Sequence, residues 1–263
     1  AKRSLFESAC ACVFNLDDPL GARWAHEFGQ RKPVITYGLT TDAQLTASDI
    51  RQYSGASTFT LDHVSFTVNL PGRFNVANAL AAIGVARTLD IPDRFSVDGL
   101  AGLERVAGRM EHHHAGGIDV VVDYAHTPDA LANVLETLRE TTAGRVLVVF
   151  GCGGDRDRGK RVLMGEIAAK LADEAYVTSD NPRTEDPQTI ISEIVAGMKG
   201  RNHRIIPDRR EAIYTAITQA RSGDLVLIAG KGHERYQLIG EVSLPFDDAA
   251  VSREALEVRE QNA

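Results

Sequence analysis

From about residue 118 onward the chain alternates short apolar runs with amphipathic segments, and this rhythm restricts the possible folds more than any other feature. The runs Ile118–Asp123, Arg145–Phe150, Ala175–Thr178, Arg204–Ile206 and Asp224–Ala229 are short and rich in β-branched residues, which predicts buried strands. Between them, helical patterns are expected at about 128–139, 160–171, 187–199 and 209–221. Thr127 stands at an N-cap position of the first, with Pro128 in its first turn. Apolar strands separated by helices call for an α/β fold, a mostly parallel sheet covered on both faces. Ligands of such sheets sit beyond the carboxyl ends of the strands. Every polar motif in this half of the chain falls there.

The earlier residues follow a different pattern. A strand is expected at Ala11–Leu16, ending at Asp17-Asp18-Pro19, then a helix with Trp24 and Phe28 on one face, then a strand at Val34–Tyr37. Residues 43–70 alternate with period two and are rich in Thr, Val and Phe, which predicts antiparallel strands with one wet face. An Ala-rich helix should run from Asn75 to Leu89. A chain of 263 residues can hold two modest cores, and the change of rhythm divides it into 1–107 and 108–263. The opening Ala-Lys-Arg-Ser-Leu-Phe-Glu reads as the end of a helix with neither a start signal nor an initiator Met, so a fragment of a longer chain is expected.

A net charge of −7 argues against a nucleic-acid partner, because phosphate binding needs a basic face. A local basic cluster does occur at Arg156, Arg158, Lys160 and Arg161. No apolar run approaches 18 residues and no signal peptide is visible, so no membrane span is expected. Three cysteines, Cys10, Cys12 and Cys152, give no disulfide framework. Cys10 and Cys12 are expected to be buried thiols, and a cytoplasmic location fits free thiols.

Four polar segments carry candidate chemistry. Asp180-Asn181-Pro182-Arg183 places a carboxylate, an amide and a guanidinium within four residues. Asp180 can hold an ammonium and Arg183 can grip a carboxylate with two hydrogen bonds. Read blandly, it is a helix-entry turn with surface charges. Gly151-Cys-Gly-Gly-Asp-Arg156 and the basic residues after it form either an anion-binding loop or a flexible turn whose Asp and Arg residues pair with one another. Gly230-Lys-Gly-His-Glu234 offers a close backbone approach and a second carboxylate. With Arg156, Asp180, Arg183 and Glu234 at neighbouring strand ends, two positive and two negative groups suit a doubly zwitterionic small molecule. Asp123-Tyr-Ala-His126 adds either a general base or nucleotide contact at His126, or a capped helix start with a hydrogen-bonded His. The run His112-His113-His114 is expected to be a solvated linker rather than a metal site, because consecutive strand residues face opposite ways. Asn75 and Asn78, three apart, share a helix face. They either read a nucleobase edge or cap the helix.

Taken in order, these segments, together with Asn15–Asp18, Phe74–Leu80 and Gly108–Glu111, resemble the Mur ligases, and within them the branch that adds meso-diaminopimelate. The resemblance implies an incomplete central αβ domain, then a Rossmann-like C-terminal domain that binds the amino acid. It also implies that Asp180, Asn181, Pro182, Arg183, Arg156, Gly230 and Glu234 contact meso-diaminopimelate, with Arg183 on the distal carboxylate that lysine lacks. It puts Asn75, Asn78, Arg109, Asp123 and His126 at the ATP site. Lys2 corresponds to a lysine that is carbamylated in the family, where it helps hold Mg2+. The implied chemistry is phosphorylation of the D-Glu-bearing UDP-N-acetylmuramoyl-L-alanyl-D-glutamate by ATP, then attack of the amine on the acyl phosphate. No Gly-x-x-x-x-Gly-Lys-Ser/Thr phosphate loop occurs in these residues, so the 263 residues are expected to be inactive by themselves. A diaminopimelate-binding module without catalysis, the lysine-adding ligase and folylpolyglutamate synthase are the alternatives.

Overall fold

The computed structural model describes residues 2–40, 42–53, 55–104, 106–200 and 202–261. The chain divides into two compact units, Ala1–Glu104 and Arg105–Ala263.

In the first unit, α1 (Lys2–Ser8) precedes β1 (Cys12–Asn15), α2 (Pro19–Gly29), β2 (Val34–Gly38) and β3 (Leu45–Thr46). The three strands form one parallel sheet. Asp18 caps α2, its Oδ1 accepting from the Leu20 and Gly21 amides at 2.7 and 2.9 Å, with Pro19 at the first position. β4 (Ser48–Gln52), β5 (Ser57–Leu61) and β6 (Val64–Val68) make the expected antiparallel sheet. Phe59 and Phe66 stand opposite each other and stack with ring centroids 5.3 Å apart. Leu45–Thr46 departs from the antiparallel expectation. Thr36 and Gln44 exchange hydrogen bonds, which ties this short run to β2. α3 (Arg73–Thr88) packs Val76, Ala79, Leu80 and Ile83 into the same core, and α4 (Asp93–Ala101) follows. Cys10 is exposed rather than buried, because β1 starts at Cys12 and leaves it outside the strand.

The second unit is a six-stranded sheet flanked by helices. Its elements are β7 (Glu111–Ala115), β8 (Ile118–Asp123), α5 (Pro128–Thr141), β9 (Val146–Phe150), α6 (Gly159–Leu171), β10 (Glu174–Val177), α7 (Pro187–Ala196), β11 (His203–Ile205), α8 (Arg209–Gln219) and β12 (Leu225–Ala229). The hairpin β13 (Tyr236–Ile239) and β14 (Val242–Pro245) then leads to α9 (Asp248–Gln261). Strand order is β11-β10-β9-β12-β8-β7, parallel except for β7. Burial explains the apolar runs: all five residues of β9 and of β12 are buried. Val120, Val122, Val149 and Ile228 share a core with α8 and α9. The alternate residues face the opposite side of the sheet, where α5, α6 and α7 pack.

The three histidines are not a linker. They form most of β7, with His112 Nε2 and His114 Nδ1 at 3.0 and 2.7 Å from one oxygen of Asp119 on β8. Pairing with the buried β8 recruits a histidine-rich segment to the sheet edge that its composition does not announce. The hairpin β13–β14 and α9 also had no clear signal in the chain.

Candidate functional site

β10, β9, β12 and β8 are consecutive in the sheet, so the loops after them leave one edge as neighbours. Missing side chains let these loops touch. A methyl group on Gly154 would stand 1.9 Å from the Pro182 carbonyl oxygen, and one on Gly232 would stand 2.6 Å from Tyr124 Cβ. Gly230, at φ +120, would meet Asp180 Oδ2 at 2.8 Å. Only glycine tolerates these approaches. Beneath the loops, Arg209 and Asp248 form an ion pair with both side chains fully buried. Arg209 Nη2 also donates to the Ala229 carbonyl at 3.1 Å, fixing the end of β12.

One corner is built around Asn181. Its Oδ1 accepts from Lys231 Nζ and from the Leu238 amide, each at 2.9 Å, while its Nδ2 donates to Glu234 Oε2 at 2.9 Å. Lys231 is completely buried, with Nζ 3.6 Å from Glu234 Oε2. Burial lowers the Lys231 ammonium's pKa, and the nearby Asp180, Asp248 and Glu234 oppose that shift. Tyr124 Oη donates to Glu234 Oε1 at 3.4 Å. Burial raises the Tyr124 hydroxyl's pKa, and the charge of Glu234 adds to the effect. Asp180 is buried, and its Oδ1 accepts from the Asn181 amide at 2.7 Å. This corner therefore gathers the carboxylates Asp180 and Glu234 around one resident ammonium.

The other corner is cationic. A methyl on Gly153 would lie 2.9 Å from Arg183 Nη1 and 3.9 Å from Arg156 Cγ, so the two arginines flank this glycine. Arg183 Nη1 donates to the Gly154 carbonyl at 2.7 Å, and Arg156 Nη1 to the Asp155 carbonyl at 2.9 Å. Arg183 has φ +52, a left-handed conformation that strains a residue with a Cβ by about 1 kcal/mol. The hairpin holds it there: Arg183 N donates to the Leu238 carbonyl and Gly240 N to the Arg183 carbonyl. The loop's other cations do not pair with its own aspartates as one reading expected. Arg161 is fully buried between Glu185 and Glu193, each at 2.8 Å, and Arg158 pairs with Glu193. Asp155 accepts from Thr184 instead. The Arg161 guanidinium, by hydrogen bonding, lowers the Glu185 pKa to about 2.

Around Asp123 the side chains serve mainly one another. Asp123 is buried and its Oδ2 accepts from the Met110 amide at 2.9 Å. Burial raises its pKa, and the Met110 and Ala125 amides oppose the shift. The exposed His126 has Nδ1 2.8 Å from the Tyr124 carbonyl oxygen, a partner that needs Nδ1 as donor and leaves Nε2 outward. Arg109 stacks over the Tyr124 ring at 4.6 Å, and the rings of His126 and His233 lie 4.4 and 5.1 Å from it. The other expected positions belong to the first unit. Asn75 donates to the Pro71 carbonyl at 2.7 Å and accepts from Asn78 Nδ2 at 3.3 Å, and Lys2 is exposed on α1. Among the described residues no group of three His, Cys, Asp or Glu side chains could hold a metal ion.

Lys231 was legible only as the middle of a Gly-Lys-Gly run, and Arg161 only as one of a basic cluster. Both prove to be buried organisers of the loops. Lys231 follows a glycine at the end of β12 and Arg161 lies in the first turn of α6, signals too common to single them out.

Two family descriptions match the chain: Mur ligase middle domain over residues 1–86 and Mur ligase, glutamate ligase domain over 108–232. Over 263 residues the chain is 44% identical to UDP-N-acetylmuramoyl-L-alanyl-D-glutamate–2,6-diaminopimelate ligase 1 of Clostridium acetobutylicum, covering 97% of this chain and 54% of that protein. It is 47% identical over 254 residues to the corresponding ligase of Syntrophomonas wolfei, covering 93% of this chain and 51% of the relative. A solved structure of a UDP-N-acetylmuramoyl-L-alanyl-D-glutamate–2,6-diaminopimelate ligase superposes with a TM-score of 0.59 at 41% identity, covering all of this chain and 56% of the other. The chain thus spans about half the length of the curated relatives it matches. With two adjoining domain signatures in family order on an α/β fold, the chain belongs to the Mur ligase family.

Proposed function

We propose that this chain carries the amino-acid-binding half of an ATP-dependent ligase that joins meso-diaminopimelate to UDP-N-acetylmuramoyl-L-alanyl-D-glutamate in cytoplasmic peptidoglycan precursor synthesis. The observation that carries the reading is the two-sign edge of the second unit. Arg156 and Arg183 flank Gly153, while Asp180 lies against Gly230 and Glu234 accepts from the Asn181 side-chain amide. meso-Diaminopimelate has two ammonium and two carboxylate groups, the complement of such an edge. Lysine lacks the distal carboxylate, so Arg183 and Arg156 are the groups that would separate the two ligands. The names of the relatives in C. acetobutylicum and S. wolfei support the same substrate.

In the proposed reaction the carboxylate of the D-Glu residue takes the terminal phosphoryl group of ATP with release of ADP. The amine held at this edge, once deprotonated, then displaces phosphate from the acyl phosphate to form the amide. The chain's own part is to bind and orient that amine, which removes orientational freedom from the attack. Within the second unit Arg109, Asp123 and His126 are proposed as residues that serve ATP, and within the first unit Asn75 and Asn78. Asp123 also shapes the 108–111 turn by accepting from the Met110 amide. Magnesium belongs to the proposed activity through a carbamylated Lys2, whose carboxylate would help hold the ion, and the described residues by themselves assemble no metal site.

Calorimetric titration of the chain with meso-diaminopimelate and with L-lysine tests the substrate. Binding of the first in clear preference to the second is expected, and equal affinity would refute the role of Arg183. A second reading, amino-acid binding without catalysis, is favoured for these 263 residues by the absence of a Gly-x-x-x-x-Gly-Lys-Ser/Thr sequence. ATP hydrolysis or acyl-phosphate formation by the chain would overturn it.

A further inference from the structure

Every hydrogen-bonding position of the Asn181 side chain is matched to its neighbour's chemistry. Oδ1 receives two donors, Lys231 Nζ and the Leu238 amide, and Nδ2 points at an acceptor, Glu234 Oε2, all at 2.9 Å. Turning the amide over would set its NH2 against an ammonium and an N–H, and its carbonyl oxygen against a carboxylate. The orientation is therefore imposed by the partners. Of the two donors to Oδ1, the Leu238 amide belongs to the hairpin backbone, which leaves Lys231 as the donor side chain that selects the orientation. Lys231 is fully buried, on the first residue after the Gly230 turn, and a buried ammonium is held only where it is paired. Its pairing runs inward, to Asn181 and at 3.6 Å to Glu234, with the Tyr236 ring 5.7 Å from Nζ. None of this is a surface charge reaching for solvent.

We propose that Lys231 is a positioning residue of the amino-acid site. Its ammonium sets the Asn181 amide, and through that amide the Glu234 carboxylate, in the geometry that receives a ligand ammonium. The proposal rests on the reading of this edge as an amino-acid site. A second consequence separates positioning from plain electrostatics. Lys231 carries the same charge as the group Glu234 and Asp180 would bind, so removing it should tighten ammonium binding if charge alone mattered. If Lys231 positions Asn181 and Glu234, removing it weakens binding instead. The sign of the change decides between the two.

The test is calorimetric titration of meso-diaminopimelate into the chain and into Lys231→Met, Asn181→Ala and the double variant, with Lys231→Gln as the conservative replacement. Lys231→Met should bind about tenfold or more weakly, the range set by losing a charged hydrogen bond. Lys231→Gln, which keeps an N–H, should recover part of the loss. The double variant should be no weaker than the weaker single variant, because Lys231 acts through Asn181. Unchanged or tighter binding by Lys231→Met, or losses that multiply in the double variant, would overturn the proposal. The ligand-free chain supplies an independent readout. The Asn181 side-chain amide pair should give a distinct, exchange-protected signal in a 15N-resolved NMR spectrum of the wild type, displaced in Lys231→Met and restored towards its place in Lys231→Gln. If the wild type fails to bind meso-diaminopimelate, the substrate reading falls while this signal still decides the role of Lys231. An amide signal indifferent to Lys231 would refute positioning even where binding is intact. Should Lys231→Met not fold, Lys231→Gln against wild type carries both measurements, and no change in either would overturn the proposal.

Discussion

Arg161 and Lys231 are both buried cations of the second unit's loops, and they are held differently. Arg161 sits between Glu185 and Glu193 at 2.8 Å from each and donates to the Gly153 carbonyl. Its charge is matched within the scaffold, and the effect is to fasten the Gly153 loop to the start of α7. Lys231 has one amide oxygen at 2.9 Å and a carboxylate only at 3.6 Å. It is shared among groups that also face the proposed ligand. Burial alone does not mark a cation as structural or functional. What separates the two is whether the surrounding carboxylates are fully used.

The contrast can be broken most strongly at Arg161. Arg161→Met leaves two carboxylates facing each other without their common partner, and should destabilise the unit by about 3 kcal/mol, the glutamates' partial exposure keeping the loss near the lower end for a broken buried pair. Urea unfolding of the purified variant measures this, and a loss below about 1 kcal/mol would place Arg161 among ordinary surface pairs. Arg183→Ala should leave unfolding nearly unchanged but reduce meso-diaminopimelate affinity about 10- to 100-fold, as expected for a charged hydrogen-bond pair. Its lysine affinity should stay the same. Comparison of the two isotherms shows whether Arg183 reads the distal carboxylate. Glu185→Gln sharpens the scaffold side through pH. Glu185's folded pKa, about 2, lies below its ordinary 4.5, so its ionised form adds stability above about pH 4.5 that disappears as pH falls towards 2. Stability of the wild type should therefore decline through that window, and the variant's curve should decline less steeply. Arg156→Ala should have the smallest effect, a few-fold loss of affinity, because Arg156 is exposed and, among the described residues, hydrogen bonds to the adjacent Asp155 carbonyl alone.

The same contrast explains what could be read from the chain alone. β8, β9 and β12 were evident because burial on both faces demands unbroken apolar runs, and the loops after them were evident because parallel strands put their carboxyl ends on one edge. Arg183 and Glu234 stood out as charges in those loops. Lys231 did not, since its burial is produced by the 180–183 loop and the β13 hairpin closing over it, partners about 50 residues away or following it without an apolar signature. β7 was hidden for a related reason. A run of three histidines has no strand pattern of its own, and it pairs because Val120–Val122 offer an open sheet edge. Asn75 and Asn78 were recognised as sharing a helix face, and their side chains do meet.

Pro182 closes against the Gly153-Gly154 loop through its carbonyl oxygen, and its lack of an N–H bears on how the protein ages. Asparagine side chains degrade when the following backbone nitrogen, freed of its proton, attacks the side-chain carbonyl and closes a succinimide ring that opens to aspartate. At Asn181 the following nitrogen belongs to proline and has no proton to lose, so this route is closed. The protection falls where damage would be least tolerable, since an aspartate at 181 would set a third carboxylate beside Asp180 and Glu234.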